Sequence, residues 1–439
     1  MADYQAMYQS KLKTAQQVAA MVENGWVFGM DAAPTQADGI MNALADHIRE
    51  SDIRDVKIHL MLDGYPFPFL TDDSLNGKMN GVSWFSGGGL RKAVNGGYAD
   101  LIPGYYRDFP GVIRRMYAYD AYVVSVSPMD SHGYFSLATS TSYSQAMIDK
   151  AKRIFVEVNE KQPRCLCGTQ LHVSEVAAIV ENTHDMPVLP PTKIDETSQI
   201  IGGLIADQIP NGACIQLGIG AIPDAVGAAL MTKKDLGIHT EMFTSSMVDL
   251  LECGAANNSK KQIHRGKTVT TFAFGAQKIY DYINDNPCIE ILPVDYVNDP
   301  DVICQNDNMI SINAALEVDL FGQVCAESVG TKHMSGSGGQ VDYVRGACQS
   351  KGGKSFIAFS STAKGGTISK IKNILTPGAI VTTSKNDVDY IVTEYGLAHL
   401  RGESLSSRAK QLIEIQTSDL RIKTVFQITG IVIHRQIQF

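Results

Sequence analysis

The chain has 439 residues, 44% hydrophobic and 19% charged, enough for two globular domains each with its own core. Its 38 basic and 46 acidic residues leave a net charge of -8, which excludes a general nucleic-acid binder and requires any phosphate site to be built locally. Eight scattered cysteines (Cys165 and Cys167 form CxC, not the CxxC of zinc sites), a polar N-terminus and no run of about 18 apolar residues lead to the expectation of an unanchored cytoplasmic protein with reduced thiols.

Thr14 is suited to cap a helix running through Met21 and Val22, Asn24-Gly25 turns the chain, and WVFGM (26–30) predicts a strand. AYVVSVS (121–127) predicts a strand, DSHGY a turn, YSQAMIDKAK (143–152) a helix and RIFVEV (153–158) another strand. This is α/β grammar with parallel or mixed sheets. In NTHDMPVLPPTKIDETSQ (182–199) three prolines and polar residues break the periodicity before a helix around Ile200–Gln208. The boundary expected there divides an N-terminal α/β domain, 1–190, from a C-terminal one, 191–439, with a ligand cleft between two related domains.

ACIQLGIGAIPDAVGAAL (213–230) predicts a strand ending at Leu217, a Gly218-x-Gly220 turn and a helix opening near Pro223. Such a turn aims free N–H groups and the positive end of the helix dipole at an anion. A dinucleotide fingerprint competes for the same residues, but its third glycine position holds Pro223. GIHTEMF (237–243) then reads as a strand with one carboxylate near its carboxyl end, followed by Thr244, Ser245 and Ser246 as caps for a helix closing at Gly254. Glu241 either points to solvent by alternation or is held in this apolar run to do chemistry. Two further glycine-rich turns, SGSGGQVDYVRGA (335–347) and STAKGGTISK (361–370), offer anion cradles, the second with Lys364 beside its glycines. Three such loops and a strand-end acid suit an extended phosphorylated ligand.

IQLGIGAIPDAV, HTEMF with VDL, VDLFGQV, GSGGQVDYVRGA, AKGGTISKI and SKNDVDYIVTEYG, with WFSGGGLRKAV and MDSHGYFSLATSTSYSQA in the first half, together resemble the acetyl-CoA hydrolase/transferase family. Within it they are most similar to the 4-hydroxybutyrate and butyryl-CoA:acetate CoA-transferases, over roughly residues 10–415. The resemblance implies two tandem CoA-transferase-like α/β domains with mixed, mainly parallel sheets flanked by helices and the active site in the cleft between them. It implies a covalent glutamate, falling on Glu241, which passes through an acyl-glutamyl anhydride and a glutamyl-CoA thioester. Coenzyme A and acyl-CoA are then substrates, short-chain carboxylates the partners, no metal is required, and a homodimer or larger assembly is the family expectation.

Backbone N–H groups of Gly218, Ile219, Gly220, Ala221 and Ile222, and of Gly338 and Gly339, are the candidate oxyanion and cofactor donors. Asn313 matches a family active-site amide and is assigned as a second oxyanion donor, and Lys364 matches a coenzyme A contact. By alternation His239 shares a face with Glu241 and is placed to orient it, with no catalytic role, while His132 reads as turn chemistry. After about residue 415 the apolar, alternating tail departs from the family's more polar ending. An acyl-CoA hydrolase on the same scaffold, a non-catalytic CoA-ester binder and a NAD-binding enzyme are the competing functions. The preferred acyl group is not legible.

Overall fold

A computed structural model describes residues 3–166, 168–190 and 192–417, so Cys167 and the atypical tail from 418 onward lie outside the described residues. The fold is mixed α/β with mainly parallel sheets flanked by helices.

The first sheet contains β1 (Val27–Ala32), β2 (Val56–Met61), β3 (Met79–Ser83), β4 (Ala99–Leu101), β5 (Ala121–Val126), β6 (Ile154–Val158) and β7 (Ala178–Glu181). Their order is β4-β3-β2-β1-β5-β6-β7 and every pairing is parallel. Parallel strands are covered on both faces, which is why β5 and β6 read as nearly unbroken apolar runs. Tyr122, Val124 and Val126 of β5 enter one apolar cluster while Ala121 and Val123 enter the other. The period of two thus survives inside a strand buried throughout.

The second sheet comprises β8 (Cys214–Leu217), β9 (Gly237–Ile238), β10 (Met309–Ala314), β11 (Lys354–Ala358), β12 (Tyr390–Thr393) and β13 (Gly396–His399). Its order is β9-β8-β10-β11-β12-β13, parallel except for the hairpin of β12 and β13. Among the described residues no helix is long and apolar enough to cross a membrane.

Contacts divide the chain into two compact units. One contains the residues up to 190 together with 240–245 and 267–298; the other contains 191–239, 246–266 and 299 onward. A single boundary near 190 therefore describes only the first crossing, and Glu241, expected in the C-terminal domain, packs with the first unit. The reason is a set of short backbone pairings. Met242–Phe243 pairs in parallel with Phe272–Ala273. The Ala273 N–H donates to the Thr139 carbonyl at 2.8 Å, and the Val294 N–H to that of Ser142 at 2.8 Å.

In the second unit the helix Glu196–Ala206, capped by Asp195, lies against the helix Ala221–Ala229 that follows β8. Their approach depends on Gly202, where a Cβ would stand 2.8 Å from the backbone carbonyl carbon of Ala225. Backbone cannot swing aside like a side-chain tip. Gly202→Ala is expected to destabilise the protein by about 1–3 kcal/mol, measured by urea unfolding of both proteins; an unchanged midpoint would show that the two helices separate freely.

Candidate active site

The run 237–243 is not one strand. The His239 N–H donates to the Ile215 carbonyl at 3.2 Å, and the next N–H, of Thr240, to the Val269 carbonyl at 2.9 Å. The chain thus changes partners between adjacent residues, and Glu241 falls in a bend between β9 and Met242–Phe243. Alternation across 237–243 cannot set its direction. His239 is buried, its ring centroid 6.4 Å from that of Tyr343.

Glu241 is partly buried and tightly fixed at its backbone. Its carbonyl accepts from the N–H groups of Thr271 (3.1 Å) and Phe272 (3.3 Å) and from the Thr270 hydroxyl (2.9 Å). Its carboxylate oxygen Oε2 accepts from Asn298 Nδ2 at 2.7 Å. Asn298 is fully buried and ends the short helix Val294–Val297, donating its own N–H to the Val294 carbonyl at 3.0 Å. Its Oδ1, also sealed from solvent, accepts no hydrogen bond. Sequence reasoning missed Asn298 because Asn-Asp-Pro after a helix is ordinary stop-and-restart chemistry, with Asp299 capping the next helix at Pro300.

Tyr106 adds a neutral donor nearby. Burial, then the negative charge of Glu241, push its phenol well above the ordinary tyrosine value, so it stays protonated while bonded to the Ser142 hydroxyl. Ser142 belongs to the segment 139–144, whose Ser140 and Ser144 hydroxyls bond the buried carboxylate of Asp31 at the end of β1. The same segment bonds the bend that holds the Glu241 carbonyl, with the Thr141 N–H donating to the Thr271 carbonyl at 3.2 Å.

In the second unit the strand order reverses between β8 and β10, and open α/β sheets place ligands outside the carboxyl ends of such strands. Gly218 and Asn313 meet there. The Gly218 N–H donates to the Ile312 carbonyl at 2.9 Å, and a Cβ on Gly218 would lie 3.8 Å from Asn313 Oδ1. Asn313 exchanges amide bonds with Gln216 at 3.3 Å and donates to the Ser311 hydroxyl at 3.0 Å. Both its amide hydrogens are therefore engaged, one by Gln216 and one by Ser311.

Ile219 is exposed, and Gly220 leads into the helix with φ +115° and ψ -179°. That helix begins at Ala221, two residues before the expected Pro223, so Ala221 and Ile222 carry N–H groups without intrahelical acceptors. Gly338, with φ +56°, and Gly339 are buried just before the helix Gln340–Gln349. Lys364 is exposed at the tip of the hairpin Thr362–Ala363/Ile368–Ser369, its carbonyl accepting from the Thr367 hydroxyl at 2.8 Å. His132 sits in a turn, its N–H bonded to Asp130 Oδ1 at 2.8 Å.

The N-terminal and C-terminal domains described for acetyl-CoA hydrolases/transferases match residues 1–190 and 275–426. A succinyl-CoA:cyclohexane-1-carboxylate CoA transferase of Geobacter metallireducens is 45% identical over 95% of this chain and 95% of its own length. The chain belongs to the acetyl-CoA hydrolase/transferase family. A 4-hydroxybutyrate coenzyme A transferase of Clostridium kluyveri is 42% identical over 94% of this chain and 96% of its own. The crystal structure of RipA from Yersinia pestis superposes with a TM-score of 0.93 at 36% identity, covering 98% of this chain and 99% of that one. An acetyl-CoA hydrolase of Candida albicans is 24% identical over 93% of this chain. Membership of the acetyl-CoA hydrolase/transferase family makes the protein an enzyme.

The Gly220 backbone lies in a region open essentially to glycine, although space around it is free. Gly220→Ala is expected to cost about 1–3 kcal/mol from backbone strain alone. A denaturation midpoint equal to the parent's would show that the turn relaxes without penalty.

Proposed function

We propose that the protein is a CoA-transferase that moves coenzyme A between short-chain carboxylates, such as 4-hydroxybutyrate or butyrate and acetate, with Glu241 as the covalent carrier. The observation that carries this reading is the Asn298 bond to the Glu241 carboxylate at 2.7 Å, on a backbone fixed by three donors. Support comes also from relatives named as CoA-transferases at 42% and 45% identity, against 24% for the Candida hydrolase.

In the first step Oε1 of Glu241 attacks the acyl carbon of acyl-CoA. The C–S bond breaks, coenzyme A leaves as thiolate, and an acyl-glutamyl anhydride remains. The thiolate then attacks the glutamyl carbonyl carbon, the bond to the acyl-bearing oxygen breaks, and the acyl group departs as a carboxylate, leaving a glutamyl-CoA thioester. An incoming carboxylate reverses the sequence. Negative charge in the second step collects on Oε2, the oxygen that Asn298 Nδ2 already faces, so the amide that orients the resting carboxylate becomes an oxyanion donor. No proton is transferred. The protonated Tyr106 limits charge repulsion around the anion.

In the same reading the N–H groups of Gly218–Ile222, Gly338 and Gly339 receive the acyl oxyanion and the polar groups of coenzyme A. Lys364 contacts a phosphate or pantetheine oxygen, and Asn313 holds the Gly218 turn in place. A partly desolvated, fixed carboxylate is the more reactive nucleophile.

Incubation with butyryl-CoA followed by borohydride is expected to leave the Glu241 peptide reduced to the alcohol, read by mass spectrometry. An unmodified peptide with butyryl-CoA turned over would withdraw the covalent mechanism, and free CoA release without any carboxylate acceptor would favour the hydrolase. Glu241→Gln should abolish exchange. Asn298→Ala should lower the exchange rate by about 10²–10³ while leaving the circular dichroism spectrum unchanged; a rate within a few-fold of the parent would remove Asn298 from the mechanism.

A further inference from the structure

A second buried glutamate lies in the first unit, in a setting that catalysis does not use. Glu157 is the only charged residue in β6 and is fully buried. Its Oε2 accepts from the Ile40 N–H at 2.8 Å and its Oε1 from Asn182 Nδ2 at 3.0 Å. Two further polar side chains converge on it: Asp38, the first residue of the helix Asp38–Glu50, and His184, in the irregular segment after β7. His184 Nε2 is 3.0 Å from Asp38 Oδ1 and 3.5 Å from Glu157 Oε1, and one ligand atom from each residue lies within 4.8 Å of the others.

The state of the imidazole follows from its other nitrogen. His184 Nδ1 lies 3.1 Å from the Asp185 carbonyl, which can only accept, so Nδ1 carries the hydrogen. In the neutral ring Nε2 then turns its lone pair toward two carboxylates, and three electron-rich atoms crowd one point. A cation placed at that point would relieve the crowding. A proton on Nε2 would lie along the ring axis, yet Nε2 and Asp38 Oδ1 are both sealed from solvent and, at 3.0 Å, do not meet at a hydrogen-bonding angle. With Glu157 Oε1 they lie within 4.8 Å of one another.

We propose that Asp38, Glu157 and His184 bind a divalent transition-metal cation of the zinc type. Ligand distances of about 2.0–2.2 Å around such an ion separate neighbouring donor atoms by about 3.4 Å, close to the observed 3.0 and 3.5 Å. Supporting bonds of the kind that orient metal ligands surround the set: His184 Nδ1 to a carbonyl, and Glu157 to an amide and a backbone N–H. The Tyr65 ring packs edge-on against His184 with centroids 5.6 Å apart. Gly39 makes room, since a Cβ there would fall 2.4 Å from Asn182 Nδ2 and 2.9 Å from Glu157 Oε2. Asp38 and His184 keep 22% and 23% of their side chains exposed, so the set lies near the surface although the facing atoms themselves are covered. A groove of about 640 Å³ has Gly39 and Asn182, neighbours of the set, in its lining. The ion would tie the start of the helix Asp38–Glu50 to β6 and to the segment leaving the first sheet. Its role is structural and separate from Glu241.

The test is titration of the chelator-treated full-length protein with Zn²⁺ against a chromogenic competitor, and with Co²⁺ read by visible absorption. One ion per chain is expected, with the d–d spectrum of oxygen and nitrogen ligands and a rise in melting temperature on Zn²⁺ addition. His184→Ala and the isosteric Asp38→Asn should each weaken binding by at least about 10²-fold, and Asp38→Asn keeps the test valid where His184→Ala fails to fold. No competition by the protein, unchanged affinity in Asp38→Asn, or a thiolate charge-transfer band assigning the ion to cysteine would overturn the proposal.

Discussion

A carboxylate that is to act as a nucleophile meets two opposing demands. Full hydration blunts it, and full burial without a partner raises its pKa until it protonates and is lost. Glu241 sits between these limits: it is partly buried, and one oxygen is held by an amide that cannot donate a full proton. The bond from Asn298 stabilises the anion without neutralising it, as a lysine or arginine partner would. Much of the first unit serves to keep these two side chains facing. Glu241 is fixed by Thr270, Thr271 and Phe272, and Asn298 by the short helix before it. Behind them the hydroxyl-rich segment 139–144 connects the buried Asp31 to the bend at Thr271.

The second unit shows how a parallel sheet makes donors available without charged residues. Where strand order reverses at β8 and β10, no crossover helix covers the strand ends, and the chain leaving β8 must turn sharply. Gly220 allows the turn with a backbone conformation closed to other residues, and the helix opens with N–H groups that have no internal acceptor. The braces are amides again, Gln216 against Asn313. A net charge of -8 is then compatible with the proposed binding of an anion, because backbone dipoles can supply local positive potential alongside a lysine.

Much of this was legible in the chain itself, because the signals were local. Apolar β-branched runs marked β5 and β6, Thr14 caps a helix as expected although the helix stops at Ala19 short of Met21 and Val22, and the glycine turn after Leu217 lies where expected. The family resemblance also rested on contiguous motifs. What escaped was non-local. The break at Thr240 depends on Val269 offering a carbonyl from about thirty residues away, and periodicity inside 237–243 carries no trace of that. Asn313 stood out because it lies in a motif, yet its hydrogens are turned to Gln216 and Ser311, whereas Asn298 looked like punctuation and holds Glu241. A helix-ending asparagine looks the same in sequence whether its amide faces water or a carboxylate.

Glu157 and Glu241 make a pair worth comparing, since each is an acid set among apolar strand residues and each accepts from an asparagine Nδ2, at 3.0 and 2.7 Å. Their differences explain their separate uses. Glu157 is wholly buried, has a backbone N–H on its other oxygen, and faces a histidine and a second acid. Every lone pair there is directed at a fixed partner or at the point those side chains share, which suits a permanent cation. Glu241 keeps part of its surface open, and its known side-chain partner is neutral. A carboxylate neutralised by a cation would be a weaker nucleophile. The same residue type and the same amide contact thus suit the tether proposed in one place and the reactive group proposed in the other, and burial with neighbouring charge makes the difference.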